Sequence, residues 1–109
     1  MAATTTALFG LVRPGDEVLC SAGIYGGTLH VITDFLANFG VQVRFASLED
    51  LAAPERALSA KTKLVWFESP INPTLRCVDI RRVAASCRER GVLSIIDNTF
   101  ASPVNQQPL

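Results

Sequence analysis

Three short polar clusters hold most of the side chains in this sequence that could do chemistry. Ser21 to Gly27 contains Tyr25 followed by two glycines. Glu68–Ser69–Pro70–Ile71–Asn72–Pro73 carries a carboxylate and an amide. Asp97–Asn98–Thr99–Phe100 offers a carboxylate, an amide and a hydroxyl. Each cluster follows an apolar run that reads as a β-strand, and open α/β sheets bind ligands outside the carboxyl ends of their strands. Taken singly, each is ordinary: Asp-Asn after a strand is a common turn, and Gly-Gly is loop punctuation. Their coincidence on one sheet edge is what points to a binding site. Cys20, Cys77 and Cys87 are odd in number and no two have metal-ligand spacing. They read as reduced thiols of a cytoplasmic protein, and no metal site is expected.

The elements that must position these clusters alternate along the chain. Strands are predicted at Glu17–Cys20, Val41–Phe45, Lys63–Phe67 and Val92–Ile96. The last two are nearly continuous in apolar residues, as strands buried on both faces are. Leu29, Ile32, Thr33, Leu36 and Phe39 follow helical spacing and end at Gly40. Ile80, Val83, Ala84 and Cys87 repeat it, with Asp79 as N-cap and Gly91 after the end. Leu48–Leu58 reads as a weaker helix, either interrupted by Pro54 or opened by it. Met1–Val12 is also read as helical, despite Thr4–Thr5–Thr6. The resulting order, αβαβαβαβ, predicts an α/β fold, a parallel sheet with alternating helices and right-handed crossovers.

Composition narrows the partners. The 109 residues are 49% hydrophobic and 18% charged, with ten acidic groups against ten basic ones. That is too apolar for a disordered chain, and it lacks the basic excess that nucleic-acid binding needs. No apolar run approaches the roughly 20 residues of a transmembrane helix, and the first residues do not resemble a secretion signal. A four-stranded sheet with open edges reads as a piece of a larger domain, truncated at both ends.

Together, Arg13–Pro14–Gly15–Asp16–Glu17–Val18, Tyr25–Gly26–Gly27–Thr28, Glu68–Ser69–Pro70–Ile71–Asn72–Pro73 and Asp97–Asn98–Thr99–Phe100 resemble the cysteine/methionine-metabolism family of pyridoxal-phosphate enzymes. The similarity runs through all 109 residues. It implies that residues 1–109 are the central part of the large domain of a fold-type I pyridoxal-phosphate transferase. The implied activity is a trans-sulfuration reaction like those of cystathionine γ-synthase or γ-lyase, at Cγ of a sulfur amino acid or activated homoserine. Homoserine-ester sulfhydrylases and methionine γ-lyases are the enzymatic alternatives, and a non-catalytic fragment is the other. The implied parent is a homotetramer.

The resemblance also implies roles. Asp97 would keep the cofactor's ring nitrogen protonated, the condition for its use as an electron sink. Tyr25 would stack on the ring, contact substrate and relay a proton as the catalytic residue. Asn72 would reach the cofactor's phenolic oxygen and the substrate carboxylate, and Thr99 would stand beside the ring. Met1 matches the methionine of the family's phosphate-binding Ser-Gly-Met. The family's Schiff-base lysine lies in a Ser-x-Thr-Lys stretch that this sequence does not contain, so the isolated chain is expected to be inactive. Lys61 and Lys63 read as solvent-facing residues at a strand entrance. Gly27 departs from methionine γ-lyases, which have Cys there. His30 stands where cystathionine-handling members often place Arg, and is otherwise a helix-surface residue. Glu68 is either a hydrogen-bond acceptor behind the site or a strand-end residue, and Trp66 is read as core.

Overall fold

The computed structural model describes all of residues 1–109. Four strands, β1 (Glu17–Ser21), β2 (Gln42–Ala46), β3 (Thr62–Glu68) and β4 (Leu93–Asp97), form one sheet in the order β2-β1-β3-β4. Every pairing is parallel, as the alternation of elements predicts.

Side chains of successive strand residues point to opposite faces, and both faces of the central strands are covered. Val18 and Cys20 of β1 with Leu64 and Trp66 of β3 pack under Leu8 of α1 (Ala2–Leu11) and under Val31, Ile32 and Leu36, which continue the helix that begins as α2 (Gly26–His30). Leu19, Val65 and Phe67 pack on the other side with Leu51, Val83 and Cys87, which come from α3 (Leu48–Ala52) and α5 (Ile80–Glu89). Each fully buried leucine in these layers contributes roughly 1.5–3 kcal/mol relative to an exposed one.

The structure corrects three expectations. Leu48–Leu58 is two short helices, α3 and α4 (Pro54–Ala57), broken at Ala53. Pro54 opens the second, where its missing N–H costs nothing. Ser47 caps the first in a reciprocal box with Asp50. In the second correction, the helix of residues 29–39 starts at Gly26 and continues through a π-helical stretch (Val31–Leu36) into a 3₁₀ turn (Ala37–Phe39). Its buried face is Thr28, Val31, Ile32 and Leu36, at i, i+3, i+4 and i+8, while Leu29, Thr33 and Phe39 face outward. Gly40 ends it at φ +76°, as expected. Third, β4 is an edge strand with Leu93 and Ser94 exposed, whereas β3 alone of the late apolar runs is buried on both faces. The remaining readings hold. Asp79 caps α5 by accepting from the Arg82 N–H at 3.0 Å, and α1 occupies the segment read as helical at Met1–Val12. No helix is long and apolar enough to cross a membrane.

The amino ends of the strands carry the strongest polar network. Glu17 is buried, yet accepts from Arg44 Nε and Nη2, each at 2.9 Å, and from the Ser59 and Thr62 hydroxyls at 2.9 and 2.5 Å. The Arg44 bonds, reinforced by the two hydroxyls, outweigh burial and hold the Glu17 carboxyl down at about 2. This clamp ties β1, β2 and β3 together at the end of the sheet opposite the polar clusters.

Candidate active site

At the carboxyl ends of β1, β3 and β4 lies an open cavity of about 610 Å³, within the ordinary range for small-molecule sites. Parallel pairing makes this inevitable: strands that run the same way deliver their following loops to one edge. All five residues singled out as cofactor contacts line it, namely Met1, Tyr25, Asn72, Asp97 and Thr99.

Asp97 ends β4 in register with Glu68 at the end of β3. One oxygen of Asp97, Oδ1, accepts from the Thr99 N–H at 3.0 Å and the Thr99 hydroxyl at 2.5 Å. Thr99 therefore fixes the carboxylate, while Oδ2 makes no protein hydrogen bond. An anchored carboxylate with one free oxygen suits a cationic N–H from a ligand.

Tyr25 caps the amino end of α2 through its backbone and is about half exposed. Its ring lies back over Gly27: a Cβ there would fall 2.6 Å from the Tyr25 ring edge and 3.0 Å from Met1 Sδ. Gly27→Ala is expected to keep the melting temperature within about 2 °C, as a surface change of roughly half a kcal/mol would. A crystal structure of that variant should show the Tyr25 ring moved; an unmoved ring would refute the packing role given to Gly27.

Glu68 is the residue whose part the sequence left open. It is 95% buried, lines the cavity, and its Oε1 accepts from the Tyr25 N–H at 2.6 Å. It is thus a hydrogen-bond acceptor behind Tyr25. Burial pushes its carboxyl up, the Tyr25 N–H opposes this, and the neighbouring Asp97 charge adds to the rise. Nothing in the sequence near Glu68 signals this bond, which spans 43 residues. Trp66 is core, as read, but it also lines the cavity together with Thr28. Trp66 Nε1 and Thr28 Oγ1 are both buried without a protein partner.

Other candidates lie outside. His30 pairs with Asp34 at 2.6 Å on the exposed face of its helix, so it is a surface residue here. Lys61 and Lys63 are exposed at the start of β3, the far end of the sheet from the cavity. Cys20 and Cys87 are buried, and burial pushes their thiols up to about 12 and about 11. No group of His, Cys, Asp and Glu is arranged to hold a metal ion.

A parallel sheet whose strand ends present an anchored carboxylate and an aromatic ring to one cavity is a cofactor-binding α/β domain. The sequence model of the Cys/Met metabolism PLP-dependent enzymes matches residues 1–109, and the chain belongs to that family. A cystathionine gamma-synthase of Mycobacterium bovis is 42% identical over 109 residues, which are 100% of this chain and 28% of that one. A cystathionine beta-lyase of Bacillus subtilis is 40% identical over the same span, again 28% of its length. Among solved structures, a protein assigned as an O-acetylhomoserine (thiol)-lyase of Campylobacter jejuni superposes with a TM-score of 0.88 at 38% identity. That match covers 98% of this chain and 27% of the other, which carries N'-pyridoxyl-lysine-5'-monophosphate. The chain therefore spans a little over a quarter of the length of these relatives.

Proposed function

We propose that residues 1–109 are the central part of the large domain of a trans-sulfuration enzyme of the cystathionine γ-synthase/γ-lyase kind. Its substrate would be a sulfur amino acid or an activated homoserine, cleaved or exchanged at Cγ. The observation that carries this reading is that Met1, Tyr25, Asn72, Asp97 and Thr99 line one cavity at the carboxyl edge of a parallel sheet.

The residues present fit pyridoxal phosphate. The cavity volume is adequate, and Asp97 keeps one oxygen free for a cationic N–H. When bound, pyridoxal phosphate supplies an electron sink for charge developing on the substrate. Asp97 would hold the proton on the ring nitrogen. Tyr25 would pack its ring against the cofactor, and its hydroxyl would carry a proton to or from the leaving group. Asn72, at the exposed mouth of the cavity, would orient the substrate carboxylate. Met1 would stand in the phosphate-binding turn, and Thr99, which anchors Asp97, would stand beside the ring. The parent is proposed to be a cytoplasmic homotetramer that acts on small amino acids, without nucleic-acid or membrane partners.

The deciding experiment assays the full-length protein with cystathionine and with acylated homoserine plus a thiol. Formation of 2-oxobutanoate from cystathionine, or of a thioether from the ester, supports chemistry at Cγ. Pyruvate with homocysteine would instead mark cleavage at Cβ and overturn this part of the proposal. Loss of turnover on removing pyridoxal phosphate is expected in either case.

A related result is expected from the 109-residue chain itself. Treated with pyridoxal phosphate and borohydride, it should show only scattered partial labelling, because Lys61 and Lys63 stand at the wrong end of the sheet. Peptide mapping reads the outcome, and stoichiometric labelling of one of the two lysines would contradict it.

A further inference from the structure

Resting on the cofactor-binding reading above, we propose that Glu68 is a positioning residue: its side chain holds the backbone of Tyr25 and thereby sets where the Tyr25 ring stands over the cavity. Tyr25 sits in the turn between β1 and α2, and its phenol makes no hydrogen bond within the chain. The ring lies over Gly27, and the turn is tied to the sheet by the Tyr25 N–H bond to Glu68. Glu68 is a good anchor because it ends β3, a strand paired on one side with β1 and on the other with β4. Its own position is thus fixed by the sheet, while the segment it holds is a surface turn.

The chemistry of the bond makes the role separable from a role for charge. An un-ionised acid accepts an N–H through its carbonyl oxygen as an ionised one does, and burial beside Asp97 favours the un-ionised form. A glutamine has the same length and the same acceptor, and its amide N–H₂ can face the Asp97 carboxylate at the paired position. An aspartate keeps the acid but withdraws it by one carbon, about 1.5 Å, beyond hydrogen-bond reach of the Tyr25 N–H. If Glu68 positions Tyr25, Gln works and Asp fails. If Glu68 serves as a charge, the order reverses.

The test uses the full-length enzyme, with Glu68→Gln, Glu68→Asp, Tyr25→Ala and the Glu68→Asp/Tyr25→Ala double variant. Cofactor affinity is measured by titrating apoenzyme with pyridoxal phosphate, and ring orientation by visible-region circular dichroism of the bound cofactor. Glu68→Gln is expected to stay within about threefold of wild type in affinity, with its visible dichroism retained. Glu68→Asp should weaken affinity about tenfold and reduce the visible signal, yet add less than twofold once Tyr25 is already alanine. A Gln variant as damaged as the Asp variant, or effects of Glu68→Asp and Tyr25→Ala that multiply, would overturn the proposal. Should the Asp variant fail to fold by far-ultraviolet dichroism, Glu68→Gln decides: a near-native signal supports the role, and a tenfold loss of affinity ends it. Failure of the underlying reading looks different, since wild type itself would then not bind pyridoxal phosphate, and the role would fall with it.

Discussion

Asp97→Asn in the full-length enzyme is expected to lower kcat at least ~100-fold, about 2.7 kcal/mol of transition-state stabilisation. The substitution preserves shape and leaves Oδ1 able to accept from Thr99, so the turn at residues 97–99 stays in place. What disappears is the negative charge on the free oxygen, which would keep a ring nitrogen protonated. Cofactor content should fall less than turnover, because the Tyr25 ring is untouched. Asp79→Asn is the control: it removes a charge from the α5 cap, which does not line the cavity, and asparagine caps nearly as well. Both variants are assayed at saturating cofactor. Near-normal turnover in Asp97→Asn, or a loss no larger than in the control, would show that Asp97 is not the partner of the ring.

Glu17→Gln is expected to be the most destabilising single change outside the apolar core. It should cost about 2–3 kcal/mol at pH 7, below the 3–5 kcal/mol typical of breaking a buried pair because the Arg44 end is half exposed. The pH dependence follows from the depressed carboxyl. The unfolded chain protonates Glu17 near its ordinary 4.5, while the folded protein does so only at about 2. The folded state thus gains stability that is fully present above pH ~5 and is lost as pH falls through this interval. Denaturant unfolding of the full-length protein at pH 7, 4 and 2.5 would show the wild-type advantage over Glu17→Gln shrinking in that order. A difference that stays constant with pH, or widens in acid, would refute the clamp. Since the network lies at the opposite end of the sheet from the cavity, KM for substrate should change by less than about twofold.

The two predictions differ in how much of their basis the sequence carries. Asp97 was legible: a carboxylate directly after an apolar run, in a D-N-T-F segment, can be placed at a strand end from order alone. Glu17 was not, because all three of its polar partners lie on segments 27 to 45 residues away. Local patterning says that a strand begins at Glu17, but not that Arg44, Ser59 and Thr62 converge on it. The helix of residues 26–39 shows the same limit. Its existence and its end at Gly40 follow from local spacing and from the φ > 0 that glycine tolerates. Which side faces the sheet did not, because Ile32 and Leu36 share helical spacing both with Leu29, Thr33 and Phe39 and with Thr28 and Val31, and packing buries the second set.

By itself, then, the sequence determined the order of elements, their parallel pairing, and the residues placed at the strand ends. These depend on side-chain periodicity, on turn chemistry and on the rule that parallel strands deliver their loops to one edge. Tertiary structure decided the rest. It brought Glu68 Oε1 within 2.6 Å of the Tyr25 nitrogen and gathered the Glu17 clamp from three separate segments. The physical reason is range. Backbone conformation responds to neighbours a few residues away, whereas buried polar groups take whichever partners the packed chain presents, because leaving them unpaired costs about 1–3 kcal/mol each.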